Sequence, residues 1–302
     1  LLTLLVRFNQ TKPNFRRLLQ LHRDELGSAQ SLSFVLTLPF FVTIILFIVQ
    51  VSQLMIGTVV VNYAAFAAAR SASVWLPANV TFTTLPEPAN RISSVMLDPN
   101  TSDQVEPTPF GPSDGGLTYV VAPMGPKFDK IASAAVLACV PICPSRNLNL
   151  TSSNNHILAN DLIDAYTAVT VGSEDNSAIP RRIRNKLLYS LLQTSIEVKF
   201  FHSNQEPPLE WSPLATDVPV DEYFARNELG WQDPITVTVT HNLALLPGPG
   251  RLLARPAVPP SGTSDEVSQR ISRLNGEIYV YPLTASITMS PEGEKSVVPY
   301  VH

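Results

Sequence analysis

Charge is what this chain has least of. Asp, Glu, Lys and Arg make up 15% of its 302 residues, against about 25% in an average soluble chain. Not one of them occurs from Ser28 to Ala69, so that stretch cannot form ordinary solvated surface. Cysteine is scarcer, with Cys139 and Cys143 alone, which excludes a disulfide-dense scaffold. A structural zinc site needs four ligands, and the nearest histidine to that pair, His156, stands by itself. His22, His202, His241 and His302 fall in no ligand spacing either, and His241, beside Asn242, reads as a surface or sheet-end residue. There is no Gly-rich phosphate loop, no nucleophile elbow and no HExxH helix. From these absences we expect no catalytic residue, no metal, no cofactor and no small-molecule substrate, so the chain is not expected to be an enzyme. A net charge of -4 supplies no basic face for nucleic acid.

What is present is a long apolar run. Leu32 to Val61 reads LSFVLTLPFFVTIILFIVQVSQLMIGTVVV, and a spanning helix needs about 20 such residues. The alternatives are a buried helix of a soluble protein and a cleaved secretory signal. A signal has an apolar core of about 7–15 residues, and the small-residue stretch Ala64 to Ser73 comes late for a cleavage site. Ahead of the run, Arg7, Lys12, Arg16, Arg17 and Arg23 outnumber Asp24 and Glu25, which places the N-terminus in the cytoplasm and the remainder outside. Gln50, Ser52 and Gln53 interrupt the run, and their polar groups suit a helix partner. Pro39 stands close to its start, where a missing N–H matters least. Ala64, Ala68 and Ala72 then repeat every four residues, a small-residue face for close backbone approach, and the helix is expected to stop by Pro77.

The expected organisation is a basic cytoplasmic leader over 1–27, a transmembrane helix with an Ala-rich extension over 28–76, a Pro-rich linker over 77–126 and an extracytoplasmic domain over 127–302. The linker includes one short strand, Leu117 to Val121. Apolar periodicity predicts helices over Lys127 to Cys139, over Ile157 to Val171 and onward from Pro180. Strict alternation predicts strands over Ser195 to Phe201, Ile235 to His241 and Glu277 to Met289. Helices first and strands later give an α+β domain with an antiparallel sheet covered on one face. Cys139 and Cys143, with Pro141 between them, are either a disulfide or two buried thiols. Arg181, Arg182, Arg184 and Lys186 form a basic helix start, and Asn79, Asn100 and Asn149 match glycosylation acceptors.

The stretch from Arg23 to Pro39, RDELGSAQSLSFVLTLP, resembles the start of the TadE/TadG-like proteins of bacterial tight-adherence (Tad) pilus systems. Gly27, Ser28, Ala29, Phe34, Pro39 and the alanine-rich stretch from Ala64 to Arg70 fit the family pattern, specifically over residues 22–76 and loosely beyond. Ser33 stands where the family has glutamate before phenylalanine. The resemblance implies a pilin-like pseudopilin or minor pilus-assembly component in the bacterial inner membrane, with leader cleavage between Gly27 and Ser28. Its implied partners are the membrane, other pilins or envelope assembly proteins, and further copies of itself. Helix packing would fall to Gln50, Gln53, Ala64, Ala68 and Ala72. The alternative is a single-pass envelope scaffold or ligand-binding protein unrelated to pili.

Overall fold

The structure, a computed structural model, describes residues 25–80, 86–92, 94–98, 117–148, 156–170, 178–202, 227–229, 233–246, 248, 250–259 and 278–291. The chain divides into two compact units, Leu1–Val51 and Ser52–His302. Most of the basic leader, and the acceptor sites Asn100 and Asn149, lie outside the described residues.

One helix, α1 (Glu25–Trp75), takes up 51 residues. It contains Gly27 and Ser28 as well as the whole apolar run, and Pro39 lies in its interior instead of near its start. An interior proline leaves the carbonyl four residues before it, that of Val35, without its usual backbone donor. The threonine hydroxyls on either side bond to other carbonyls: Thr37 Oγ1 donates to the Ser33 carbonyl at 3.0 Å and the Phe34 carbonyl at 3.2 Å, and Thr43 Oγ1 to the Pro39 carbonyl at 2.8 Å. Thr58 Oγ1 and Asn62 Nδ2 turn back onto the Leu54 and Thr58 carbonyls in the same way. Polar side chains on the run thus bond to their own helix, which suits an apolar surrounding. α1 ends as expected before Pro77, because the residue ahead of a proline is disfavoured in the helical region.

The remaining elements are β1 (Val95–Leu97), β2 (Leu117–Val121), α2 (Pro126–Cys139) running into a 3₁₀ turn (Val140–Ile142), α3 (His156–Val169), α4 (Ala178–Gln193), β3 (Thr194–His202), β4 (Ile235–Ala244), the short α5 (Gly250–Leu253) and β5 (Val280–Met289). The fold is α+β. The strands form one five-stranded sheet in the order β1-β2-β3-β4-β5, every neighbouring pair antiparallel. Expected helices and strands are found within a few residues of their predicted limits. The strand β1 was not foreseen: the described part of 77–126, expected as a Pro-rich linker with one short strand, supplies two strands of the sheet.

The sheet has one covered face. Val198 and Phe200 of β3, Ile235, Val237 and Val239 of β4, and Ala285 of β5 are buried, together with Tyr119 and Val121 of β2. Phe128, Ile131 and Ala135 of α2 join the same core, as do Leu187 of α4 and the alanines of α1. On the other face the β4–β5 register brings hydroxyls together. Thr236 lies 2.8 Å from Thr288, Thr238 3.0 Å from Ser286, and Thr240 3.0 Å from Thr284, measured between side-chain oxygens. Cross-strand pairs of this type contribute about 0.2–1 kcal/mol each.

Candidate functional site

Two features of α1 define the candidate site. Among the described residues, one helix is long and apolar enough to cross a membrane: the segment Ser33–Trp75, with a mean hydropathy of 2.6 over its most apolar window. From Phe34 to Val49 every large apolar side chain on it is at least partly open, with Phe34, Leu36 and Phe40 above 60% exposed. Gln50 is buried and Gln53 is exposed.

Further along α1 the packing reverses. Val61, Ala64, Ala65, Ala68, Ala69, Ala72 and Leu76 are all essentially inaccessible and belong to the core formed with the sheet. The small-residue face expected to receive a partner helix is therefore buried in this chain's own core. Earlier on α1, Gly57 faces side chains of β4 and β5: a Cβ added to it would stand 2.8 Å from Leu283 Cδ1 and 2.9 Å from Leu243 Cδ2.

The end of α1 is clamped by a buried lysine. Lys127 Nζ donates to the Leu76, Pro88 and Arg91 carbonyls at 2.7, 2.6 and 2.7 Å. Three carbonyl acceptors call for three N–H donors, which only the protonated amine has. A cation also suits the negative end of the α1 dipole. Burial pulls the other way and lowers the Lys127 pKa to about 7, with Glu87 opposing the shift. Glu87 Oε2 in turn accepts the Lys127 backbone N–H at 2.8 Å, filling an open donor in the first turn of α2. Beside it, Arg91 Nε and Glu228 Oε2 form a buried ion pair at 3.1 Å. The one sequence signal for this clamp is a lysine placed second in a helix, directly after Pro126, where the dipole disfavours it.

A second buried network surrounds the cysteines. His241 is fully buried in the interior of β4, not at a sheet end, because β4 runs on to Ala244 and His241 falls on the core-facing alternation. Its Nδ1 lies 2.8 Å from Thr194 Oγ1, and its Nε2 lies 3.9 Å from Cys143 Sγ. Ser190 Oγ donates to the Val136 carbonyl at 2.7 Å, and Tyr189 donates to the Asn242 carbonyl at 2.8 Å. The Asn242 amide reaches Gln193 Oε1 and the Val258 carbonyl.

Cys139 and Cys143 are free and buried in the structure. The helix passes into a 3₁₀ turn that accommodates Pro141, and Cys143 Sγ then donates to the Cys139 carbonyl at 3.2 Å. Burial raises the Cys139 thiol to about 12 and Cys143 further, and lowers the His241 imidazole to about 4. Both partners are therefore neutral, without the thiolate–imidazolium charge separation of a nucleophilic cysteine. No group of three or more His, Cys, Asp or Glu suited to a metal occurs among the described residues.

Arg181, Arg182 and Arg184 are exposed at the start of α4, while Lys186 donates to the Pro141 carbonyl at 2.9 Å. Asn79 is exposed. Compared with known protein families, curated proteins and solved structures, the chain matches none of them.

Proposed function

We propose that this chain is a TadE-like pseudopilin or minor pilus-assembly component, acting by membrane anchoring and protein–protein packing without a reaction of its own. In this reading α1 crosses the bacterial cytoplasmic membrane with its N-terminus inside, held by the Lys/Arg excess of the leader. The α+β domain faces outward and binds other envelope assembly proteins or pilins.

The observation that carries the reading is the division of labour along α1. Ser33 to Gln53 is apolar and long enough, at about 1.5 Å per residue, to cross a hydrocarbon core of about 30 Å. Gln50 is buried within that stretch, Leu54 and Gly57 touch the domain core, and the alanines beyond them are buried in it. One helix thus serves as anchor at one end and core element at the other. An antiparallel sheet seated on such a helix is the arrangement a pilin-like protein needs.

Two observations favour the second reading, a permanently anchored envelope scaffold or ligand-binding protein. Ser33 replaces the acid expected ahead of Phe34, and the alanine face is occupied within the chain. The N-terminus of the mature protein separates the two. Mass spectrometry on membrane and sheared surface fractions is expected to find a start at Ser28. An intact leader found only in the membrane fraction would reject processing and favour the scaffold.

A further inference from the structure

α1 enters the domain at one definite end of the sheet. Gly57 lies against Leu243 and Leu283, close to the last rungs of the β4–β5 ladder, where Leu243 stands opposite Tyr281 and Ala244 opposite Val280. Leu76, past the other end of the helix, is held by Lys127, which follows β2. That end of β2 is level with the start of β4, since Val120 pairs with Lys199 and Lys199 with Thr236. α1 and β4 therefore run in opposite directions, and the C-terminal end of β4 lies where α1 comes in. Counted along the helix, Gly57 is about 6 Å past Gln53. The headgroup layer on each side of a bilayer core is roughly 5–7 Å thick. A bilayer crossed by Ser33 to Gln53 thus has its headgroups level with this end of the sheet.

The residues found there suit such a layer. β4 leads into α5, and the chain returns with the Arg255 N–H donating to the Val280 carbonyl at 2.9 Å. Leu252 in α5 is 79% exposed, and Tyr279, whose carbonyl accepts the Leu245 N–H, is 39% exposed. Arg251 and Arg255 flank Leu252, and both are exposed. The Arg255 guanidinium lies over the Tyr281 ring, 4.8 Å from its centroid. Among the described residues neither arginine pairs with a carboxylate, and no Asp or Glu occurs from Leu243 to Pro259. An open leucine between two arginines, beside a tyrosine, has the make-up of an interfacial anchor. The leucine reaches the acyl boundary, the guanidinium groups bind phosphates, and the tyrosine lies at headgroup level.

We infer that α5 and Arg255 form a second membrane contact, seated in the phospholipid headgroups of the bilayer that α1 crosses. Leu252 enters the acyl boundary, and Arg251 and Arg255 bind lipid phosphates. The inference rests on the membrane-anchored reading above. Phospholipid is the occupant because the continuous helix α1 brings the bilayer to this end of the sheet, whatever partners the chain has. Two points of attachment restrict the tilt of the domain on the membrane, which one helix leaves open.

Nitroxide labels on single cysteines test the contact in the full-length protein, reconstituted into vesicles of phosphatidylethanolamine and phosphatidylglycerol. Cys139 and Cys143 are buried and set the background. Oxygen collects in lipid and a water-soluble nickel chelate is kept out of it, so their relaxation effects report depth. At Leu252→Cys, oxygen access is expected to exceed nickel access several-fold. The ratio is expected to reverse at Ser290→Cys, an exposed position past the opposite end of β5. Adding Arg251→Glu and Arg255→Glu is expected to move the Leu252→Cys label toward the Ser290→Cys value, and no change would overturn the role of the arginines. Equal nickel access at Leu252→Cys and Ser290→Cys would overturn the contact. Protection from both reagents would overturn lipid as the occupant in favour of a protein. Phe40→Cys, in the spanning stretch, separates this inference from the reading beneath it. A nickel-accessible label there would reject the membrane reading itself, whereas a lipid-shielded one beside a water-exposed Leu252→Cys label would reject the second contact alone.

Discussion

Lys127 reaches across 51 positions of sequence to hydrogen-bond the Leu76 carbonyl at 2.7 Å, one residue past the end of α1. That bond ties the end of the longest helix to the start of α2, and the same ammonium holds the Pro88 and Arg91 carbonyls.

Lys127→Met is therefore expected to destabilise the folded domain. It leaves three carbonyls without their donor, offset in part by the burial penalty of the lost charge. A net loss of about 2–3 kcal/mol is expected. Denaturant unfolding of the full chain in detergent, followed by tryptophan fluorescence, measures it. An unchanged midpoint would show that the clamp contributes nothing net.

Gly57→Leu tests the close approach of α1 to β4 and β5. A leucine improves helix propensity by somewhat under 1 kcal/mol. It must also displace Leu283 and Leu243, whose methyl carbons already stand 2.8 and 2.9 Å from where a Cβ would lie. Overpacking of this kind costs about 1–3 kcal/mol, so a lower midpoint is the expected outcome of the same measurement.

The Arg91–Glu228 pair is buried on both sides. Removing one partner of such a pair leaves a charge inside the protein and costs about 3–5 kcal/mol. Glu228→Ala is expected to fall in that range, and Glu228→Gln, which keeps an acceptor, to fall below it.

His241 makes stability depend on pH. Its pKa in the folded chain is lowered by burial to about 4, from an ordinary 6.5. Between those values the unfolded chain binds a proton that the folded chain refuses, so stability rises with pH across that window. The contribution is present in full above pH 6.5 and is lost as pH falls toward 4. Unfolding curves at pH 7.5 and 5.0 should differ, and His241→Gln should shrink the difference.

The cysteines give a chemical check. In denaturant without reductant, two thiols should titrate with a disulfide reagent. In the native protein they should react slowly, since both are buried with raised pKa. Absence of reactive thiols in the denatured, unreduced protein would instead establish the disulfide.

Much of this architecture was legible in local pattern. The uncharged run of α1, the apolar faces of α2, α3 and α4, and the period-two alternation of β3, β4 and β5 each follow from a short-range rule. The β4 segment ITVTVTH carries its own burial pattern in its letters. Three features did not read out that way. β1 is three residues long and is a strand only because β2 offers it partners, Val95 opposite Val121 and Leu97 opposite Tyr119. His241 is polar by type, yet the register of β4 with β3 sets it opposite Thr194 in the core. Lys127 looks like an exposed charge at a helix start, and only the distant carbonyls of Leu76, Pro88 and Arg91 explain its burial.

The sequence by itself determined that α1 is long, apolar and lined by alanine, because helix propensity and hydropathy are properties of neighbouring residues. Only the tertiary structure decided which side of that helix is filled and which is open. Small and large apolar residues are equally suited to packing, and their assignment depends on contacts with strands more than a hundred residues away. The alanines went into the chain's own core, and Ile56, Val59, Tyr63 and Phe66 were left at the surface.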